Sequence, residues 1–334
     1  MNDPLATIVI PNYNGAKFLP ALIESLRNQS DRRFVVTLVD DCSTDGGIGD
    51  IAGGAAFVNV IRNERNLGFA GSCNVGLDLA RTPFVALLNN DTTVDENWFA
   101  NAMAGFDADD VGAVASLVLL AEPPHLIDSA GDVYSIAGGA AKRLHLAPRE
   151  FAAGLTEECF SACGASAFYR RSALERVGAL DDRFESYYED VDLGFRLAWA
   201  GYRCRFMRTS ICYHHLSASY SPTGWKYHYN SARNAEIVWA SNMPESLRRR
   251  YAGARRAFLT IQSLNKLRQG CWRAYRQGRV AGRRADELIE AKRAALRAFA
   301  TATDEQIAQR LESDWFTLHV RGSLRAGRGR ARRD

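Results

Sequence analysis

In Phe84-Val-Ala-Leu-Leu-Asn-Asn-Asp91, five apolar residues run without a break into three short polar ones. An uninterrupted apolar run of that length, closed by turn formers, predicts a strand buried on both faces. The same unit recurs upstream. Residues 7–11 run into Asn12 and Asn14, residues 34–39 into Asp40, Asp41, Ser43 and Asp45, and residues 57–61 give a further run. Between them, Phe18, Leu19, Leu22, Ile23 and Leu26 recur at helical spacing, and residues 71–79 read as a second helix. Strand alternating with helix predicts an α/β fold, a mostly parallel sheet flanked by helices. The polar clusters all follow strands, and that carboxyl edge is where open α/β sheets bind ligands.

Working outward, residues 111–153 are richer in Gly and Pro, with a hairpin expected around residues 128–139. Ser172 and Glu175 are spaced as a capping box on a short helix that stops at Gly178. Residues 190–200 read as a helix stopped by Gly201, and residues 203–212 as a strand. With 334 residues, 47% apolar and 24% charged, the chain is a folded one of one large or two smaller domains. No apolar run approaches a membrane span, and no basic-then-apolar leader opens the chain. Seven cysteines without CxxC spacing predict a reduced, cytoplasmic setting. The net charge of +4 conceals a split: residues 241–334 hold 22 Lys/Arg against 9 Asp/Glu, whereas the first 240 hold 20 against 29. A catalytic domain at 1–240 (halves at 1–110 and 111–240) and a helical, arginine-rich region at 241–334 are the expected divisions.

Five constellations carry candidate chemistry, and each has an ordinary structural reading beside it. Asp91 after its strand is placed to take a divalent cation, or simply to turn the chain. Asp40-Asp-Cys-Ser-Thr-Asp-Gly46 offers carboxylates to a base or ribose, or caps the next helix. Tyr187-Tyr-Glu-Asp-Val-Asp192 sets three acids at a helix start, as the helix dipole favours, or as a general base requires. Tyr213-His214-His215 holds an imidazole ligand or a structural histidine. Asn66-Leu-Gly-Phe-Ala-Gly71 lets a phosphate approach a helix N-terminus, or lets helices pack closely.

In their order along residues 5–240, these stretches, with Ile8-Val-Ile-Pro-Asn-Tyr-Asn14, resemble family 2 of the nucleotide-sugar glycosyltransferases, rhamnosyltransferase-like branch. The resemblance implies a GT-A (Rossmann-like) fold and transfer with inversion. It also implies roles. Pro11, Tyr13 and Asp41 would surround the donor's nucleobase, with Asp40 holding the turn. Asn66, Gly68, Asn74 and Asn90 would lie along the ribose and diphosphate. Asp91 and His214 would bind Mn²⁺ or Mg²⁺, Asp190 would be the base, and Tyr188 and Glu189 would face the acceptor. One departure is plain: Asn89 stands where the family's metal motif has its first Asp. The implied donor is dTDP-rhamnose first and a UDP-sugar second, and the acceptor a glycan or lipid-linked glycan. For the basic helices, three expectations stand: a solvated face packed on the catalytic domain, a homo-oligomer contact, or peripheral contact with an anionic membrane at its cytoplasmic face. A nucleic-acid partner is not expected, because the first 240 residues are acidic and carry no nucleic-acid-binding signature.

Overall fold

The computed structural model describes residues 3–46, 57–216 and 224–321. The predicted apolar runs form β1 (Ala6–Asn12), β2 (Phe34–Asp40), β3 (Val58–Arg62) and β4 (Phe84–Leu88), side by side and parallel in the order β3-β2-β1-β4. Register aligns the polar ends. Asn12, closing β1, lies opposite Asp40, closing β2. Helix α1 (Leu19–Arg27) covers one face through Leu19, Leu22, Ile23 and Leu26. Helix α2 (Gly68–Leu79) covers the other, seated so closely that a Cβ on Gly76 would strike Val9.

A short strand, β5 (Thr92–Val94), follows β4, and after helix α3 (Trp98–Ala104) comes the fully buried β6 (Val111–Leu120). Next come β7 (Ile127–Ser129), β8 (Asp132–Tyr134), β9 (Ala140–Lys142), β10 (Glu158–Cys159), β11 (Ser166–Arg170), α4 (Arg171–Val177), α5 (Glu189–Trp199) and β12 (Arg203–His214). Strand β11 enters antiparallel between β4 and β6, and β12 runs parallel to β6. The far end of β12 also pairs antiparallel with β5, His214 opposite Thr92. That ladder brings Asp91, one residue before Thr92, to the histidine.

Three details differ from expectation. The hairpin is β8 with β9, spanning residues 132–142, while β7 pairs with β6. Ser172 caps nothing: the helix begins one residue earlier, with Arg170 at its N-cap and no side-chain capping bond, and Glu175 instead pairs with Arg171. The run expected at 203–212 continues to His214, which therefore sits on a strand and not in a loop.

Beyond it lie α6 (Trp225–Ser241), α7 (Glu245–Arg250), α8 (Ala252–Arg268), α9 (Trp272–Arg283), α10 (Asp286–Phe299) and α11 (Asp304–Gln309). They share a core with the middle of the chain, where Tyr134, Phe184 and Phe195 meet Ile237, Ile289 and Ile307. Part of the arginine charge is neutralised internally. Glu236 meets Arg255 at 3.1 Å and Arg279 at 2.6 Å, and Lys292 meets Asp181 and Asp192 at 2.9 and 2.8 Å. The arginine run at 328–333 lies outside the described residues. Among those described, no helix is long and apolar enough to cross a membrane.

Candidate active site

Along the carboxyl edge of β1, β2 and β4 the polar side chains form one hydrogen-bonded frame. Asn90 Nδ2 donates to Asn12 Oδ1 at 2.7 Å, and Asn12 Nδ2 donates to Ser43 Oγ at 3.2 Å and Asp40 Oδ1 at 3.4 Å. Gly15 is required beside this frame, since a Cβ there would lie 2.6 Å from Asn12 Oδ1 and run into Asn90. Asp41, buried, accepts from Leu67 N (2.7 Å), Gly68 N (2.9 Å) and Asn63 Nδ2 (2.9 Å). It thereby ties the end of β2 to the start of α2. Asn66 closes the same loop, donating to Asp41 O at 3.3 Å. Gly68 has φ +74°, a backbone that L side chains rarely adopt. Tyr13 projects from the frame, 50% exposed beside half-buried Pro11, with its ring free to stack on a flat ligand. Asn74 stands apart from these: both ends of its amide are engaged by the main chain of Leu180, at 2.7 and 3.1 Å, which locks α2 to the segment after α4.

Strand β5 places Asp91 Oδ1 3.2 Å from His214 Nε2. The imidazole's other nitrogen lies 2.9 Å from Asp128 Oδ2, and Lys142 Nζ lies 2.8 Å from both Asp128 oxygens. Burial alone would lower the His214 pKa; the hydrogen bonds with Asp128 and Asp91 outweigh it and raise the value to about 9. A carboxylate oxygen beside an imidazole nitrogen is a donor pair that Mn²⁺ or Mg²⁺ accepts, at a separation two ligands of one small cation can share. The residues therefore fit the divalent ion that the family resemblance implies. Among the described residues no group of three or more His, Cys, Asp or Glu could hold a metal by itself, so further ligands must come from elsewhere.

The three acids of the Tyr187–Asp192 stretch separate by environment. Asp192 is fully buried and bonded to Arg196 (2.9 Å), Lys292 (2.8 Å) and Asn242 (2.8 Å), an internal ion-pair centre. Glu189 is turned inward, and its Oε2 has no hydrogen-bond partner. Asp190 alone is half-buried, accepting from Gly164 N at 3.2 Å and Val191 N at 2.8 Å. Burial raises its pKa against those two N–H groups and the nearby charge of Lys142. Tyr188, expected on the acceptor side with Glu189, also points into the protein; its hydroxyl accepts from Ala140 N at 3.3 Å. Both turn inward because Glu185, Tyr187 and Tyr188 all have φ between 59° and 73°. Asn234 on α6 fixes this strained turn, its Nδ2 donating to the carbonyls of Phe184, Ser186 and Tyr187 at 2.8–3.1 Å.

Burial first, and then the charge of Asp190, raise Glu189 from 4.5 to about 8. The folded chain therefore binds a proton there that the unfolded chain has released, so stability falls as pH rises from about 4.5 to about 8. Glu189→Gln cannot titrate. Its melting temperature should gain on the wild type across that window, by on the order of 5 °C, and the gap should level off above it. Thermal melts in steps from pH 4.5 to 9 test this. A constant gap would mean that the carboxyl ionises as an exposed one does.

One hydrogen-bonded path joins the two centres. Asn89 N donates to Ala165 O at 3.1 Å, and the adjacent Gly164 N holds Asp190. The structure thus pairs Asp91 with His214 and sets Asn89 at the end of β4, two residues before Asp91, beside the Gly164–Ala165 turn that holds Asp190, with the Asn12–Asp41 frame on the β1/β2 side. Asp128, Lys142, Gly164 and Asn234 were not among the expected site residues; only Asp128 has a signal in the sequence, as an acid directly after the apolar pair Leu126-Ile127.

Residues 7–178, more than half of the chain, match the family described as "Glycosyl transferase family 2". Among curated proteins, the pre-mycofactocin glycosyltransferase of Mycobacterium tuberculosis is 32% identical over 62% of this chain and 42% of its own length. The amylovoran biosynthesis glycosyltransferase AmsB of Erwinia amylovora is 24% identical over 75% of this chain and 81% of its own. The chain spans less than half the length of the first curated relatives it matches. Two solved structures share its fold: S. aureus TarS 1-349 in complex with UDP-GlcNAc (TM-score 0.55, 18% identity, 92% of each chain), and mannosyltransferase PcManGT from Pyrobaculum calidifontis in complex with GDP-Man and Mn²⁺ (TM-score 0.54, 16% identity, 92% of this chain and 79% of that one). The fold is that of the GT-A glycosyltransferases, and by the match over residues 7–178 the chain belongs to glycosyl transferase family 2.

Proposed function

We propose that the chain transfers a sugar from a nucleotide-sugar donor to a hydroxyl of a glycan or lipid-linked glycan, with inversion at the anomeric carbon. The observation that supports this most is the joining of two chemically different centres through Asn89, Ala165 and Gly164: an Asp91–His214 pair and an elevated-pKa aspartate, Asp190. Asp190 takes the acceptor's proton as its oxygen attacks the anomeric carbon. The bond from that carbon to the phosphate oxygen breaks on the opposite face, and the electron pair leaves with the nucleoside diphosphate. Asp91 and His214 would hold a divalent cation, which when bound neutralises charge on the diphosphate. Tyr13 and Pro11 stack on the base, and the frame of Asp40, Asp41, Asn66, Gly68 and Asn90 shapes the ribose and diphosphate side. Holding both substrates in register supplies a further large part of the acceleration.

The resemblance to the rhamnosyltransferase-like branch favours dTDP-rhamnose as donor, with a UDP-sugar next. A lipid-linked acceptor would bring the chain to an anionic membrane, and exposed Leu264 and Leu267, beside Lys266 and Arg268 in the last turn of α8, are where that contact would lie. A thermal-shift series with dTDP-rhamnose, UDP-sugars and GDP-mannose, each with and without Mn²⁺, tests the proposal. One donor at about 100 times its Kd should stabilise the fold by roughly 2.7 kcal/mol, and more with the metal. No shift with any of them, and no nucleoside diphosphate released in the presence of acceptor, would remove it.

A further inference from the structure

We propose that Asp128 is a positioning residue that holds His214 with its Nε2 turned toward Asp91 and the divalent cation; this rests on the transferase reading above. An imidazole has two nitrogens. Whichever one donates its proton to a fixed acceptor leaves the other with a lone pair for a metal. Asp128 Oδ2 is that acceptor, 2.9 Å from Nδ1, on the side of the ring away from Asp91.

Three observations make Asp128 a fixed acceptor. It is fully buried, at 0% exposure. It sits in the middle of β7, which is paired to β6, next to the strand carrying His214. Lys142 Nζ touches both its oxygens at 2.8 Å, and His145 Nδ1 is bonded to its main-chain oxygen at 2.9 Å. The departure at Asn89 gives this arrangement weight. With one carboxylate fewer in the Asn-Asn-Asp triplet, the geometry and basicity of the histidine carry a larger share of cation binding.

The test is Mn²⁺ uptake, read from loss of the free-ion electron paramagnetic resonance signal. The full chain is titrated with dTDP or UDP present, against nucleotide-only blanks. Asp128→Asn keeps the shape and loses the charge, and Asp128→Ala loses both. Mn²⁺ affinity should fall by about 10-fold in the first and up to about 100-fold in the second, while nucleotide binding in a chelator stays as in the wild type. A purely structural role would instead lower the melting temperature and nucleotide binding together in both variants, leaving the Mn²⁺ affinity of the folded fraction unchanged. That result, or wild-type Mn²⁺ affinity in either well-folded variant, would overturn the assignment. Failure of the wild type itself to take up Mn²⁺ would overturn the cation reading, and the role of Asp128 with it.

Discussion

Asp190→Asn is expected to lower turnover by about 10³- to 10⁴-fold while leaving donor affinity nearly unchanged. The amide is the same size, and its single oxygen can still accept from one of the two N–H groups, Gly164 N or Val191 N, that hold Asp190 in place through its two separate oxygens. What it cannot do is take a proton from an acceptor hydroxyl. The loss should therefore appear in the chemical step, and nucleoside diphosphate should cease to form even when donor and acceptor are both saturating. Asp192→Asn is the contrast two residues away. There the carboxylate sits between Arg196 and Lys292 with no exposure at all, and removing its charge leaves two buried cations short of a partner. Breaking such a pair costs about 3–5 kcal/mol, so that variant should lose stability first and activity only as it unfolds. Steady-state kinetics beside a melting curve separates the two. Turnover by Asp190→Asn within tenfold of the wild type would move the base to another group.

The strand runs were the most legible part of the sequence. An apolar β-branched run ending in Asn or Asp has few alternatives, and residues 7–11, 34–39 and 84–88 fold as read. The register of β1 on β2 then sets Asn12 beside Asp40 with no further information needed. The Tyr187–Asp192 stretch was only half legible. Three acids at a helix start point to function, but which one faces the site depends on partners 50 to 100 residues away, such as Asn242 and Lys292. Glu189 and Tyr188 were expected at the acceptor, but Glu189 is buried and Tyr188 half-buried against the core, because residues of positive φ before the helix turn them inward. No local pattern announces that turn, since its bracing amide belongs to Asn234 on a later helix. Asn74 shows the same limit from the other side. The family resemblance implied a place for it along the ribose and diphosphate, whereas the fold uses it to hold Leu180. Asp128 was hidden because a buried acid acquires meaning only once its strand is laid beside His214.

Asp91→Ala should reduce turnover by on the order of 10²- to 10³-fold, the scale of losing several kcal/mol of transition-state charge stabilisation. It should also flatten the response of the remaining activity to added Mn²⁺ or Mg²⁺. Because Asn89 is an amide, Asp91 is the one carboxylate in the Asn-Asn-Asp triplet, and alanine strips the turn of its whole negative charge. His214 would keep only Asp128, on the ring nitrogen that does not face Asp91. A neutral ring nitrogen alone is a poor site for a hard cation, which prefers oxygen. The fold should survive, because β5 is held to β12 through the main chain of Thr92, Thr93 and Val94 and not through the Asp91 side chain. Asn89→Asp supplies the opposite test: a second carboxylate on the same turn should lower the Mn²⁺ concentration at half-maximal activity. Metal titrations of the three proteins, each with a chelator-treated control, decide the matter. Full wild-type activity in the chelator would leave the Asp91–His214 pair with no cation to hold, and charge on the departing diphosphate would then fall to the protein's own groups.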